Sequence, residues 1–453
     1  MNSKSRSRNI KRIFLVTVDC LRADHVGCIG GGNLTPNIDR LAKDSIVFTR
    51  AFANGPGTNQ SFPAILTSTH FLIHGGLQLN PRCSTLAEVL RKHGFKTVAF
   101  HSNPFLSKIF GWNRGFDEFY DFMDTLKGPS AFMTRQQQAG LSGKLTRFVA
   151  SLLGASRSTK VQRLLKKIYF KFTKLKIPYL EGKELNKHVI NWIEKNLNEK
   201  FFLWMHYMDP HEPYIPPEEY LTDFSSRKEA FNFNLSADID NLSEEELRTL
   251  KRLYEGEVKY TDACIGEFLD YLEKRRLLEE SLIIITGDHG HAFMEHGRFA
   301  HAHDILYNEV IHVPLIIFGL GRQIVYSNVQ LLDLPPTILS LLGIECPPTF
   351  VGKSLFEKRE GEAEIIFSES AKPDLINLRY DLSKKAVSCI KGKYKFIYNE
   401  LRGTKELYDL GRDFQERNNL FDSEDEICKE LLLLIKRHLL SERIYKMKLN
   451  AIS

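Results

Sequence analysis

Short apolar runs rich in β-branched residues recur along this chain, and each breaks off at a polar or small residue: 13–18 before Asp19, 97–100 before Ser102, 201–205 before His206, 282–286 before Gly287, and 313–318 before Gly319. Runs of that length and composition suit strands buried on both faces of a parallel sheet. Between them, apolar residues recur at helical spacing over 36–45, 84–93 and 184–197. A longer helical stretch, 244–278, opens after Ser243 and sets Leu247, Leu250, Leu253 and Tyr254 on one face. The alternation predicts an α/β fold, a mostly parallel central sheet flanked by helices. Asp262, inside the long helix, reads as a solvated or capping residue. From about Gly361 the pattern changes: strands over 385–390 and 394–398 and an amphipathic helix over 425–443 predict a small C-terminal α+β subdomain. The expected units are therefore 11–355 and 356–453.

In open α/β sheets, ligands gather at the carboxyl ends of the strands. Asp19 and the pair Asp288-His289 stand at two such ends. Carboxylate oxygens with an imidazole nitrogen suit a divalent cation, and a hydroxyl beside that cation becomes a better nucleophile. Taken singly, an Asp after a strand is more often a turn or helix cap. Thr58, in Gly57-Thr58-Asn59-Gln60-Ser61-Phe62-Pro63, supplies a hydroxyl between the two runs.

Five motifs then follow one another in a telling order: Val18-Asp19-Cys20-Leu21-Arg22-Ala23-Asp24-His25, Thr35-Pro36-Asn37-Ile38-Asp39-Arg40-Leu41, the Thr58 segment, Asp209-Pro210-His211-Glu212-Pro213-Tyr214, and Gly287-Asp288-His289-Gly290. In this order the chain resembles the sulfatase family of the alkaline phosphatase superfamily, from about Lys11 to about Leu420. The resemblance implies a metal-dependent hydrolase of sulfate or phosphate esters. Its metal ligands would be Asp19, Thr58, Asp288 and His289. His211 matches the family histidine that contacts the sulfate or phosphate, and family members place a lysine or histidine near 296–303 to protonate the leaving group. His296 matches the family's Glu-His-Gly, and His301 or His303 could be that acid. Ser61, Asn103 and, in a second tier, His206 are expected to bind substrate.

Departures from the family pattern carry chemistry of their own. Typical sulfatases bear a Cys or Ser that is converted to formylglycine. Thr58 stands there instead and cannot be converted; it resembles the threonine of phosphoethanolamine transferases and lipoteichoic acid synthases. A threonyl ester must be cleaved by water or an acceptor alcohol, which favours a phosphoryl over a sulfuryl centre. Gln60 replaces the family proline and Phe62 the arginine, and the lysine expected in the 97–104 segment is missing. Cys20 replaces a second metal-binding Asp, and Asp288-His289 stands where many members have Asp-Asn. One divalent ion is expected, with manganese, zinc or magnesium favoured and calcium possible. Asp24 reads as a cap for the next segment.

Charge adds an insertion to this picture. Residues 125–180 hold twelve Lys or Arg and no Asp or Glu, so the formal +6 of the 453-residue chain leaves −6 for the remainder. Two basic amphipathic helices are expected within 144–176. They could pack on the core, attract an anionic substrate, or lie on an anionic membrane. No base-reading motif accompanies the charge, so no specific nucleic acid is expected. Seven cysteines without disulfide or metal spacing, a basic amino terminus that runs straight into the first strand, and no apolar run of spanning length lead to an expectation of a cytoplasmic protein with peripheral membrane contact as an option. The oligomeric state is not legible. Two other functions stay open: transfer of the phospho-group to an alcohol on a lipid or glycan, and a non-catalytic binding role.

Overall fold

The computed structural model describes residues 10–123, 179–357, 364–374 and 379–451; the helices expected within 144–176 lie outside these. Strand β1 (Arg12–Val18) is buried throughout and divides its side chains between two cores. Ile13 and Leu15 join one apolar cluster, while Phe14, Val16 and Val18 join the other. Strand β6 (Ser281–Gly287) does the same with Leu282 and Ile284 against Ile283 and Ile285. Continuous apolar runs are thus explained by two covered faces, as a central parallel strand requires.

Around these run β2 (Ser45–Phe52), β3 (Lys96–Phe100), β4 (Glu118–Tyr120), β5 (Phe201–Tyr207), the small hairpin β7 (Ala292–Phe293) with β8 (Phe299–Ala300), then β9 (His312–Phe318), β10 (Gln323–Val325) and β11 (Val329–Gln330). The main sheet has the order β10-β2-β9-β6-β1-β5-β3-β4, with β11 also on β2. Every pairing in it is parallel except the two made by β9, with β2 and with β6. The sheet is therefore mostly parallel, and β1, β5 and β6 lie side by side at its centre with their carboxyl ends together.

Helices α1 (Pro36–Ala42), α2 (Thr58–Thr67), α3 (Phe71–His74), α4 (Leu86–Lys92), α5 (Gly182–Lys195), α6 (Arg227–Ser236), α7 (Glu244–Lys274), α8 (Asn308–Ile311) and α9 (Leu334–Leu341) connect and cover the strands. Asp262 proves to be a cap, and a buried one. Its carboxylate accepts from the backbone N–H of Asn37 and Ile38 at 3.0 and 2.9 Å, so α7 caps the first turn of α1. Asp24 instead pairs with Arg22 at 2.7 Å and with His25 at 2.8 Å.

Beyond residue 364, strands β12 (Ile365–Asp374), β13 (Arg379–Lys391), β14 (Tyr394–Asn399) and β15 (Thr404–Asp409) form an antiparallel sheet in chain order. Both β13 and the helix α10 (Glu426–Ala451) are longer than the pattern alone predicts. One face of this sheet packs Val387, Cys389 and Phe396 on Leu431 and Ile435 of α10. Its other face joins Ala386, Ile390 and Ile397 to Phe52 and Ile305 of the larger body. Among the described residues no helix is long and apolar enough to cross a membrane.

Candidate active site

Asp19 leaves β1 at the floor of the site, completely buried. The chain then turns through Cys20 at φ 60°, a conformation that costs a non-glycine residue energy and is kept where the surroundings enforce it. The turn aims the Cys20 N–H at Asp288 Oδ1, 3.3 Å away, and so ties the end of β1 to the end of β6. Asp288 Oδ1 also accepts from the His289 N–H at 2.8 Å. Ser61 donates to the Asp288 carbonyl at 2.5 Å, locking α2 against the same turn.

Thr58 occupies the first position of α2, where backbone N–H groups lack intrahelical partners and favour anions. Its Oγ1 lies 3.4 Å from Asp19 Oδ2, 3.5 Å from His289 Nε2 and 3.4 Å from Asn103 Nδ2. Asn103 Nδ2 also donates to Asp19 Oδ2 at 3.1 Å, while its Oδ1 accepts from the Phe105 N–H. His206 completes the Asp19 environment through Nε2 at 3.3 Å and is held by Thr17 Oγ1, 2.9 Å from its Nδ1. Beneath it lies Phe62, edge-on with ring centroids 5.2 Å apart, so the residue in the family arginine's position serves as an apolar wall.

A cation suits this donor set. His289 Nδ1 donates to the Gly290 carbonyl at 2.9 Å, which leaves the Nε2 lone pair facing outward. That lone pair lies 3.5 Å from both Asp19 Oδ1 and Asp288 Oδ2. Asp288 Oδ2 is buried with no hydrogen-bond donor. A lone pair and two carboxyl groups converging in a buried site call for positive charge. Burial would raise the Asp19 carboxyl, but the His206 hydrogen bond and the charges of His211 and His289 hold it well below the usual range. Burial, then the Asp19 charge, pushes Asp288 well up.

Two histidines, His211 and His301, flank the opening, and a third, His291, lies beneath. His211 lies beyond β5, its Nδ1 donating to the Glu212 carbonyl at 2.7 Å, and its ring meets that of His301 at 5.1 Å. Burial opposes its protonation, yet Glu212 and Asp19 raise its pKa above the ordinary value. The His301 ring lies tilted beside His289, with centroids 4.6 Å apart. Burial, with the neighbouring His289, pushes His301 down to about 3. His291 is buried and bonded to the Tyr214 hydroxyl at 2.6 Å, an internal strut.

Two expected acids are not brought to this cluster. His296 stacks on Tyr307 at 3.7 Å and has both nitrogens engaged, Nδ1 with Glu309 at 2.7 Å and Nε2 with the Glu416 carbonyl at 2.9 Å. Its ring is held by Tyr307, Glu309 and Glu416, and the Glu-His-Gly match falls on a histidine with both nitrogens engaged. His303 lies among the charges of Asp304, Arg298, Lys372 and Arg402, with no member of the Asp19 cluster among them.

Three contributors escaped the sequence reading. Cys20 Sγ lies 3.1 Å from Asp19 Oδ1 and joins Asp19 and His289 as a third donor. Its adjacency to Asp19 was the available signal. Glu212 places a carboxylate 3.9 Å from His301 Nδ1 and forms a ligand-like trio with His211 and His301. Tyr380, on β13, accepts from Asn59 and Gln60 at 3.2 Å each, tethering α2 to the C-terminal sheet; nothing local in the sequence announces that.

A family profile described as Sulfatase matches residues 11–344, and one described as N-sulphoglucosamine sulphohydrolase, C-terminal, matches residues 294–444. An arylsulfatase of Clostridium perfringens is 25% identical over 482 residues, spanning 95% of this chain and 94% of its own. The multifunctional alkaline phosphatase superfamily protein PehA of Trinickia caryophylli is 23% identical, covering 76% of each chain. The crystal structure of the phosphonate monoester hydrolase of Agrobacterium radiobacter superposes with a TM-score of 0.66 over 96% of both chains, at 20% identity, and supports the fold. With a family profile covering most of its length and the ends of β1 and β6 in register, this chain belongs to the sulfatase family and is an ester hydrolase of that family.

Proposed function

We propose that the protein cleaves phosphate esters with Thr58 Oγ1 as nucleophile. The observation that carries this reading is the position of that hydroxyl, within 3.5 Å of both Asp19 Oδ2 and His289 Nε2. Asp19, Asp288, His289 and Thr58 would hold a divalent cation. When bound, it supplies positive charge that favours the ionised hydroxyl and offsets charge developing on the ester.

The side chains have separable tasks. Asp19 accepts the hydrogen bond of the attacking hydroxyl, and Asn103 fixes both oxygens from the opposite side. His211, biased towards its charged form, steadies a non-bridging oxygen through Nε2. His301 is neutral at rest. It takes up a proton from solvent water once the anionic ester arrives and delivers it to the leaving oxygen, while the Thr58 hydroxyl proton leaves through Asp19 to solvent as the Oγ1–phosphorus bond forms and the bond to the leaving oxygen breaks. Phosphoester chemistry is favoured because a threonyl ester lacks the carbon–oxygen exit open to a formylglycine hydrate, so water must complete the turnover.

The test is the initial rate of metal-reconstituted protein on matched nitrophenyl sulfate, phosphate monoester and phosphodiester. Turnover of a phosphate ester that disappears in Thr58→Ala supports the reading. Sulfate turnover that survives in Thr58→Ala would overturn it.

A further inference from the structure

A second set of metal-type donors lies where α3, the C-terminal sheet and α10 meet. His70 immediately precedes α3, Glu369 stands on β12, and His438 and Glu442 are one helical turn apart on α10. One ligand atom from each of the four comes within 4.8 Å of all the others. His438 Nε2 lies 3.0 Å from Glu369 Oε2 and 3.6 Å from Glu442 Oε1. Those separations bracket the edge of a zinc tetrahedron, about 3.3 Å for bonds near 2.0–2.1 Å.

The donors are oriented and incompletely satisfied. Glu369 Oε1 accepts from the Leu72 N–H at 2.7 Å, which turns Oε2 inward. Phe367 stacks on the His438 ring at 4.0 Å and fixes its plane. His70 Nδ1 and both oxygens of Glu442 are buried without a hydrogen-bond partner, and both residues are 7% exposed. Among the described residues, the ion pairs of Glu369 and Glu442 are with His438 alone. Two facing carboxylates in a buried junction favour a cation between them, and a divalent ion with two neutral imidazoles makes the group electrically neutral.

We propose that His70, Glu369, His438 and Glu442 form a structural zinc site that fastens α10 and the C-terminal sheet to the catalytic body. Four protein donors leave no open position, as structural zinc sites require.

The test uses the full chain with the catalytic cluster disabled by Asp19→Asn and Asp288→Asn, dialysed against buffered zinc and analysed by elemental mass spectrometry. One zinc per chain is expected to remain, and adding His438→Gln and Glu442→Gln is expected to remove it. Cobalt(II) in the Asp19→Asn, Asp288→Asn protein should show the intense visible bands of four-coordinate geometry. This reading needs no further variant, and so remains decisive if the quadruple variant fails to fold. Absence of a retained zinc, zinc that survives the loss of His438 and Glu442, or weak six-coordinate cobalt bands would each overturn the proposal.

Discussion

The molecule gathers buried carboxylates and imidazoles in two places, and the two are built differently. At the Asp19 cluster the donors come from the ends of neighbouring parallel strands and include a hydroxyl at a helix start, with histidines at the opening. At the His70 junction the four donors come from three remote elements, all without a reactive hydroxyl, and are closed in by Phe367. A reactive centre needs one group left free to act, whereas a fastening needs every group engaged. Perturbing the two should therefore separate activity from stability.

The largest expected effect is at Thr58. Thr58→Ala should lower kcat by about 10³-fold or more, and Thr58→Ser should restore a measurable part of it, while the unfolding midpoint stays near that of the parent. A large loss of stability in Thr58→Ala would erase the contrast. Next comes Asn103→Ala, which removes a donor to both Asp19 and Thr58 without removing either; steady-state kinetics should show a loss of about 10–100-fold.

Acid sensitivity sharpens the other side of the comparison. His74, in the same short helix that follows His70, accepts the Asn80 N–H on Nδ1 at 3.0 Å and donates from Nε2 to Thr69 at 2.7 Å, so the fold requires its neutral form. Burial, aided by Arg114 and Lys446, pushes its pKa down to about 3 from 6.5. As pH falls below 6.5 the unfolded chain takes the proton first. Stability is thus lost from pH 6.5 down towards 3, by about 1–2 kcal/mol from this group between pH 7 and 5. Chemical denaturation at the two pH values should show a smaller drop in His74→Gln. An effect of similar size, and one confined to stability, is expected outside both regions: Asp262→Ala strips the cap from α1 and should cost about 1–2 kcal/mol in denaturant melts, with activity retained.

What was legible in the sequence follows the same division. Asp19, Asp288 and His289 end apolar runs, so a strand pattern alone brings them to one edge. The parallel sheet was readable for the same reason. Neither Cys20 nor Glu212 could be placed, because their roles depend on a strained turn and on a histidine that returns from residue 301. His296 is held apart from the Asp19 cluster because Tyr307, Glu309 and Glu416 enclose it, contacts that arise only once the chain has folded back. No periodicity connects His70 with Glu369 and His438.

The Tyr380 hydroxyl, reaching from the C-terminal sheet to Asn59 and Gln60, has a consequence for how such enzymes diversify. A change or exchange of the carboxyl-terminal unit is also a change in the footing of the helix that carries Thr58. New substrate preferences can therefore arise by recombination at a distance, with Asp19, Asp288 and His289 inherited intact.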